Sequence, residues 1–241
     1  MGPLNRKPIL QRKIAIGTSI VNAQYSLELS EKNIIYLALA GISQKEVIEN
    51  GSWHEVNLND FAMLRSKEKD GRIVPLRKDQ AREELTKYLK TLYNRSIRIK
   101  NDKGVYENHR WLSATRELDE NDTIALKWNY ELIPHLSDLK SYANIATKTL
   151  IGVKGKYTHR ILELVSQGKI HGRTHGVVKV DLKEFLSSIE APETYREFKY
   201  LNQFVLKPSI EELESKGINI KCVVQRKGVG KKVTGFELHW W

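Results

Sequence analysis

The stretch 225–232 contains four cations, two glycines and no acidic residue. The cations are Arg226, Lys227, Lys231 and Lys232. Apolar residues recur in the flanking stretches 218–224 and 233–238, which predicts two strands of a hairpin with the cations at its tip. Lys and Arg side chains on such a tip can neutralise the phosphates of a nucleic acid, a contact that positions a protein without reading sequence. Each phosphate contact adds about 1 to the salt dependence of binding.

A long helix is predicted directly before this hairpin, from Ala191 to about Ser215. Its predicted DNA contacts are Tyr195, Arg196, Lys199, Tyr200, Asn202, Gln203 and Lys207. Its core-facing side is expected among Tyr195, Phe198, Leu201, Phe204 and Val205. A helix followed by a cationic hairpin is the layout of a winged helix, in which the helix enters a DNA major groove and the hairpin contacts phosphates beside it. The alternative is an ordinary solvated helix followed by a charged hairpin.

The distribution of charge favours the same end of the chain. The 241 residues carry a net charge of +11, which suits a polyanionic partner. Residues 153–241 contain 16 basic and 10 acidic residues, whereas the longer stretch 1–152 contains 24 and 19. Residues 1–23 are predicted to form a basic, flexible arm, interpreted either as an arm that touches DNA or as a disordered end. Its cations are Arg6, Lys7, Arg12 and Lys13.

The composition also excludes several classes of protein and site. Hydrophobic residues make up 40% of the chain, so a buried core is expected. The single cysteine, Cys222, excludes an internal disulfide and a cysteine-rich zinc site, and fits a reducing cytoplasm. No apolar span of about 18 residues is present, so no transmembrane helix or membrane partner is expected. His171 and His175 have ligand-like spacing but lack a third ligand, so neither a metal nor another cofactor is predicted.

The first part of the chain predicts a comparable series of elements. They are a helix at 30–41, a strand at 53–58, a short helix at 61–64, a polar loop at 65–75, a helix at 79–93, a hairpin of 96–100 with a strand through Tyr106 and 111–115, a strand at 123–128 and a helix at 135–150. The apolar stripe of the helix at 30–41 suits a core position, with a dimer contact as the alternative.

A repeated order of elements predicts the architecture. Residues 56–61 and 178–182 both read as a strand, an acidic cap and a short helix, and both precede a loop, a long amphipathic helix and a hairpin. The predicted fold is therefore α+β, with two tandem winged-helix domains at 24–150 and 157–241. The segment 151–156 contains two glycines and is predicted to be a hinge.

The first predicted domain contains a smaller set of candidate cations. They are Arg77, Lys78 and Arg82, at the start of the helix 79–93. Glu83 and Glu84 interrupt this positive surface, so a contact with the DNA backbone and an ordinary solvated face are equal alternatives.

Four segments resemble the initiator replication proteins of iteron-containing, theta-replicating plasmids. They are 29–40 (LSEKNIIYLALA), 85–95 (LTKYLKTLYNR), 156–164 (KYTHRILEL) and 195–213 (YREFKYLNQFVLKPSIEEL). The resemblance covers roughly residues 24–240, and it lies in the order and spacing of the segments more than in any one of them.

This resemblance implies two winged helices that bind double-stranded DNA at directly repeated origin sites, called iterons. Monomers would help to melt the origin and recruit the host initiator and the replicative helicase, and chaperones are further expected partners. In a dimer, the two chains would contact each other through the first domain. The dimer would bind an inverted repeat in an operator and repress its own gene.

One segment departs from the family pattern. The family often carries a run of arginines or lysines midway along the second long helix, where this chain has Asn202, Gln203 and Phe204. Arg commonly reads guanine, whereas Asn and Gln read adenine. We therefore expect Asn202 and Gln203 to shift base recognition towards A·T pairs.

Two other functional classes compete with a replication initiator. A rolling-circle nicking enzyme would need a His-hydrophobe-His metal motif, which the sequence lacks, and no glycine-rich phosphate loop ending in Gly-Lys-Ser/Thr is present. No catalytic residue is therefore predicted. A winged-helix transcription regulator without an origin role remains an alternative.

Overall fold

The structure, a computed structural model, describes residues 7–43, 45–168, 175–228 and 232–241. The elements up to residue 100 are strand β1 (Lys13–Gly17), helices α1 (Thr18–Val21) and α2 (Leu29–Leu39), strand β2 (His54–Asn57), helix α3 (Leu58–Leu64), strands β3 (Lys67–Lys69) and β4 (Arg72–Val74), helix α4 (Lys78–Tyr93) and strand β5 (Ser96–Lys100). Strands β6 (Tyr106–Arg110), β7 (Leu112–Arg116) and β8 (Thr123–Trp128), helix α5 (Ile133–Leu136) and strand β9 (Tyr142–Ala146) follow.

The remaining elements form the second half of the fold. They are helix α6 (Thr158–Gly168), strand β10 (Gly176–Asp181), helices α7 (Leu182–Ser188), α8 (Phe198–Leu201) and α9 (Lys207–Ser215), and strands β11 (Ile220–Lys227) and β12 (Lys232–Trp240). A 3-10 turn, Glu193–Arg196, precedes α8, and a π-helical segment, Asn202–Leu206, joins α8 to α9.

Two three-stranded antiparallel sheets repeat one plan. Their strand orders are β2-β8-β7 and β10-β12-β11. In each sheet the first edge strand leads into a short helix, and a side chain caps that helix: Asn57 accepts a hydrogen bond from the Asn59 amide, and Asp181 accepts one from the Glu184 amide. The predicted α+β fold with two tandem winged helices is confirmed, although α3 begins at Leu58 rather than at Phe61.

The N-terminal segment differs from the predicted flexible arm over the residues that the structure describes. Strand β1 pairs antiparallel with β9, and Ile14 and Ile16 are fully buried. Arg12 Nη1 lies 2.6 Å from Asp60 Oδ2 at the start of α3. Apolar alternation in β1 is the signal of a half-buried strand, and the high density of cations around it obscured that signal.

The predicted helix at 135–150 is wrong. The segment instead contains the end of α5, strand β9 and a 3-10 turn. The burial of Ala143 and Ile145 follows a period of two, and these residues lie opposite Ile16 and Ile14 of β1. The predicted loop at 65–75 also contains the β3–β4 hairpin, which is exposed on both strands and so lacks apolar alternation.

Pro208 explains why the long helix of the second half is interrupted. Proline has no backbone N–H, so the Phe204 carbonyl cannot accept the usual bond from residue 208, and the proline ring would collide with that carbonyl. In the π-helical segment the Lys207 amide donates to the Asn202 carbonyl instead, which widens the turn. The helix ends at Ser215, as the sequence predicted, but it begins at Phe198 rather than at Ala191. Residues 193–196 form a separate 3-10 turn, and the extended backbone of Glu197 divides that turn from α8.

Helix α6 joins the two halves through a buried polar cluster. Glu163 is fully buried, and Lys32 of α2 lies 2.7 Å from its Oε1 atom. Tyr36 and Tyr25 donate hydrogen bonds to the two carboxylate oxygens at 2.9 and 3.1 Å. Arg160 completes the cluster by donating to the Ala23 carbonyl at 2.7 Å. Burial alone would raise the pKa of the Glu163 carboxyl, but Lys32, Arg160 and the hydrogen bonds together hold it below its ordinary value.

The predicted hinge is fixed to the second half by one carboxylate. Glu212 of α9 accepts hydrogen bonds from the amides of Lys154 and Gly155 at 2.7 and 3.0 Å, and from the Thr158 hydroxyl at 2.6 Å. Gly152, at φ 67°, has the left-handed backbone that favours glycine, and its amide donates to the Leu64 carbonyl. The segment with the two glycines is therefore held by hydrogen bonds to Leu64 in the first half and to Glu212 in the second.

Candidate nucleic-acid interface

The hairpin of β11 and β12 forms the cationic wing. Lys227 and Lys232 are exposed and lie directly opposite each other across the two strands. Arg226, also exposed, follows a shift in register after Gln225. Like charges that face each other across a hairpin repel, and a phosphate placed between them would remove that cost. Lys231, the fourth predicted cation of the tip, lies outside the described residues.

The exposed side of the long helix contains most of the predicted contacts. Leu201, Val205 and Leu206 are buried and fix the inner side. The exposed members of the predicted set are Lys199, Asn202, Gln203 and Lys207 on this helix, and Arg196 in the 3-10 turn before it. Residues three or four positions apart share one face of a helix, so Gln203 lies between Lys199 and Lys207 on the outer face. Tyr195 and Tyr200 are half-buried.

Phe204 was predicted to be on the core-facing side of the helix, but it does not lie in the core. Its side chain is 52% exposed, between the outer amide of Gln203 and the buried Val205. The Phe204 ring stacks near Tyr195, with centroids 6.2 Å apart and planes at 19°, and near Tyr200, at 6.4 Å and 12°. The interrupted helical pitch after Leu201 separates Phe204 from the apolar face, and periodicity alone could not reveal that change.

Two cations of this surface, one in the 3-10 turn before α8 and one on the helix, have weak local partners. Arg196 lies 2.8 Å from Glu193, and Lys207 lies 3.8 Å from Glu211, with all four side chains at least 61% exposed. Exposed ion pairs of this kind contribute little to stability. Both cations can therefore exchange these acids for phosphates at small cost.

A groove of about 700 Å³ lies between the wing, α7 and the segment 190–196 that precedes α8. Its cations are Arg98 on β5, Lys183 on α7, Arg196 and Lys232. Neither Arg98 nor Lys183 was among the residues predicted to contact DNA, because both are far from the wing in the chain. The groove places a cation of the first half beside three cations of the second.

The candidate cations of the first half are paired with acidic residues. Lys78 Nζ lies 2.5 Å from Asp122 Oδ2, Arg82 contacts the other oxygen of the same carboxylate, and Arg77 lies 3.4 Å from Asp79. The hydrogen bond from Lys78 is the main cause that lowers the pKa of the Asp122 carboxyl, so this carboxylate stays ionised beside both cations. Asp122, in the loop before β8, was not anticipated from the sequence.

The described residues show neither a cluster of metal ligands nor a membrane-spanning helix. They contain no group of three or more potential metal ligands, and His171 lies outside them. No described helix has both the length and the apolar character needed to cross a membrane.

Comparison with a known protein and a solved structure identifies similar molecules. A "Replication initiation protein" from Escherichia coli is 30% identical over 147 residues, which make up 60% of this chain and 45% of that relative. The chain thus matches less than half of the relative's length. The crystal structure of Pi initiator protein in complex with iteron DNA has a TM-score of 0.75 and 18% identity, and the match covers 96% of this chain and 97% of that one. This likeness shows a shared fold.

Two family models match nearly all of the folded part. The model described as "Initiator Replication protein, WH1" matches residues 13–166, and "Initiator Rep protein, WH2" matches residues 181–240. The first model begins at β1 and includes most of α6. The chain therefore belongs to the initiator replication protein family.

Proposed function

We propose that this chain is a plasmid replication initiator that binds directly repeated origin sites in double-stranded DNA and promotes origin opening. The observation that carries the proposal is the combination, in one winged helix, of an exposed polar helix face with an exposed cationic hairpin. Family membership supports it, as does the fold shared with an initiator that was crystallised with iteron DNA.

The two halves divide the work in this proposal. The second half, residues 157–241, recognises bases through Asn202 and Gln203 and binds phosphates through its wing. The first, residues 24–150, contributes backbone contacts through Arg77, Lys78 and Arg82, a self-contact, or both. Because Ser30–Leu39 are buried within the chain, a self-contact would use another surface or a different arrangement of α2.

Amide side chains on the outer helix face set the expected base preference. Asn202 and Gln203 are exposed and can each form two hydrogen bonds with the major-groove edge of adenine. We propose that they favour A·T pairs in the recognised site. A site bound through G·C pairs opposite this segment would contradict this assignment.

Further partners follow from the proposed role. A dimer would bind an inverted repeat and repress the chain's own gene, and the origin-bound monomer would recruit the host initiator, the replicative helicase and chaperones. The proposed action is by binding, with no chemical step of its own, and takes place in the cytoplasm, where plasmid DNA lies.

Two measurements test the proposal in order. Duplexes are first selected from a random pool, and enrichment of an asymmetric site of about two helical turns is expected. That site is then placed in direct repeats on a plasmid that carries this gene and lacks another origin. Replication is expected with the wild type and not with the double variant Asn202→Ala and Gln203→Ala.

Lys221→Ala, an exposed lysine at the opposite end of β11, is the matched control and should leave replication intact. Selection of a site without replication would favour a transcription regulator. Absence of any enriched site would contradict sequence-specific binding altogether.

A further inference from the structure

We propose that Phe204 recognises the C5-methyl group of a thymine in the bound site. This inference rests on the proposed function and adds a specificity-determining residue to it. A phenyl ring with half of its surface exposed lies on the polar outer face of the long helix.

The position of Phe204 places an apolar group among hydrogen-bonding ones. Gln203 precedes it, Lys207 follows within one turn, and both are exposed. The buried residues of this segment, Val205 and Leu206, already fill the inner side, so Phe204 is not needed there to complete the core. Exposing such a ring in the free protein is unfavourable, and contact with an apolar group of a ligand would recover that free energy.

Two tyrosines hold the ring in place before DNA is bound. Tyr195 and Tyr200 stack beside it, with centroids 6.2 and 6.4 Å away and planes within 19° of its own. Their rings restrict the rotation of Phe204, so little side-chain entropy remains to be lost on binding. The π-helical turn at Asn202–Leu206 fixes the backbone that presents the ring.

The chemistry of the major groove leaves one base with a suitable partner. The thymine methyl is the apolar group on the major-groove edges of the four bases, and Phe is among the side chains that contact it. An adenine that hydrogen-bonds to Gln203 or Asn202 pairs with a thymine, whose methyl lies on the same groove edge. The amide and the ring can therefore read the two strands of one A·T pair, or of neighbouring pairs.

A thermodynamic cycle with uracil tests the inference, since uracil lacks only the methyl group. The probe is the duplex that the wild type enriches from a random pool, prepared with deoxyuridine at each thymine in turn. At one position we expect the substitution to weaken binding by the wild type about 3- to 10-fold, in line with the loss of one buried methyl group. Phe204→Ala should weaken binding to the thymine duplex by a similar factor and should be insensitive to uracil at that position. Phe204→Leu, which keeps an apolar side chain, should retain part of the sensitivity.

Several outcomes would overturn the inference while leaving the proposed function standing. One is that no single uracil affects binding by the wild type, and another is that Phe204→Ala is as sensitive to uracil as the wild type. If Phe204→Ala weakens binding to the thymine duplex and to the uracil duplex by the same factor, Phe204 has a role other than methyl recognition. If the wild type enriches no duplex, the proposed function fails and this inference fails with it. Unfolding midpoints of the variants serve as the control for folding.

Discussion

Lys32 Nζ lies 2.7 Å from Glu163 Oε1, and the two side chains are 7% and 0% exposed. Lys32 belongs to α2 in the first half and Glu163 to α6, the first helix of the second half. The ammonium also lies 4.3 Å from the centroid of the Tyr25 ring, which gives it a second favourable partner. A buried charge pair of this kind can be weak as a net source of stability, yet it is costly to break, because one charge is then left without a partner.

Loss of the Glu163 charge is expected to destabilise the fold strongly. Glu163→Gln would leave Lys32 and Arg160 buried beside a neutral amide, and breaking such a pair typically costs about 3–5 kcal/mol. Urea unfolding followed by far-ultraviolet circular dichroism measures the free energy of unfolding. Glu211→Gln, at the exposed partner of Lys207, is the control and should change it by less than about 0.5 kcal/mol. Similar losses for the two variants would mean that the buried cluster has no special role.

A second expectation concerns pH and His159, which packs against Tyr36 with centroids 5.0 Å apart. Neither ring nitrogen has a hydrogen-bond partner among the described residues. Burial is the main cause that lowers the pKa of His159 to about 3, and the positive charge of Lys32 is the second. Between about pH 6.5 and 3 the unfolded chain therefore binds a proton that the folded chain does not, so stability falls as pH decreases. One such group can change the free energy of unfolding by at most about 1.4 kcal/mol per pH unit.

Unfolding experiments between pH 7 and 5 test this account of His159. His159→Phe should flatten the dependence of the unfolding midpoint on pH, since an apolar ring replaces a buried group that resists protonation. Cys222→Ser provides a comparison in which the slope over this range should remain, because burial raises the pKa of that thiol to about 11. An unchanged slope in His159→Phe would show that folding does not lower the pKa of His159 in this range.

Periodicity predicted the elements in which one side meets the core. The helix at 79–93 and the wing strands of the second half carry strong alternation or helical spacing, and the structure places them within a few residues of the expected ends. The helix at 135–150 was wrong because strand β9 has only five residues, and its partner, β1, lies more than 120 positions earlier. Pairing over that distance leaves no local signal.

The candidate site shows the same limit. The described cations of the wing and the outer face of the long helix are exposed, as expected from residue types and order. The exposure of Phe204 depends on the missing amide hydrogen of Pro208, and the pairing of Lys78 and Arg82 depends on Asp122, 40 or more positions away. The exposure of Phe204 and the pairing of these two cations both depend on the folded structure, so the pattern of residues along the sequence does not predict them.

Asp122→Asn is expected to strengthen DNA binding if the first half contacts the backbone. The substitution removes the charge that neutralises Lys78 and Arg82, and asparagine tolerates the left-handed backbone, φ 56°, that residue 122 adopts. The slope of log K against log salt should become steeper by up to about 2. Glu117→Gln, which removes the exposed partner of Lys90, is the control. An unchanged slope in Asp122→Asn would place these cations outside the DNA contact.

Neutralising the wing is expected to weaken binding to every sequence by a similar factor. Lys227→Ala and Lys232→Ala each remove one cation from the exposed pair across the hairpin, so each should lower the slope of log K against log salt by about 1. The ratio of affinities for the selected and a scrambled duplex should stay constant, because phosphate contacts do not read bases. Asn202→Ala with Gln203→Ala should show the opposite pattern, with a reduced ratio and an unchanged slope. Titration of both duplexes at four salt concentrations separates the two patterns, and a loss of discrimination in the wing variants would mean that the hairpin reads sequence.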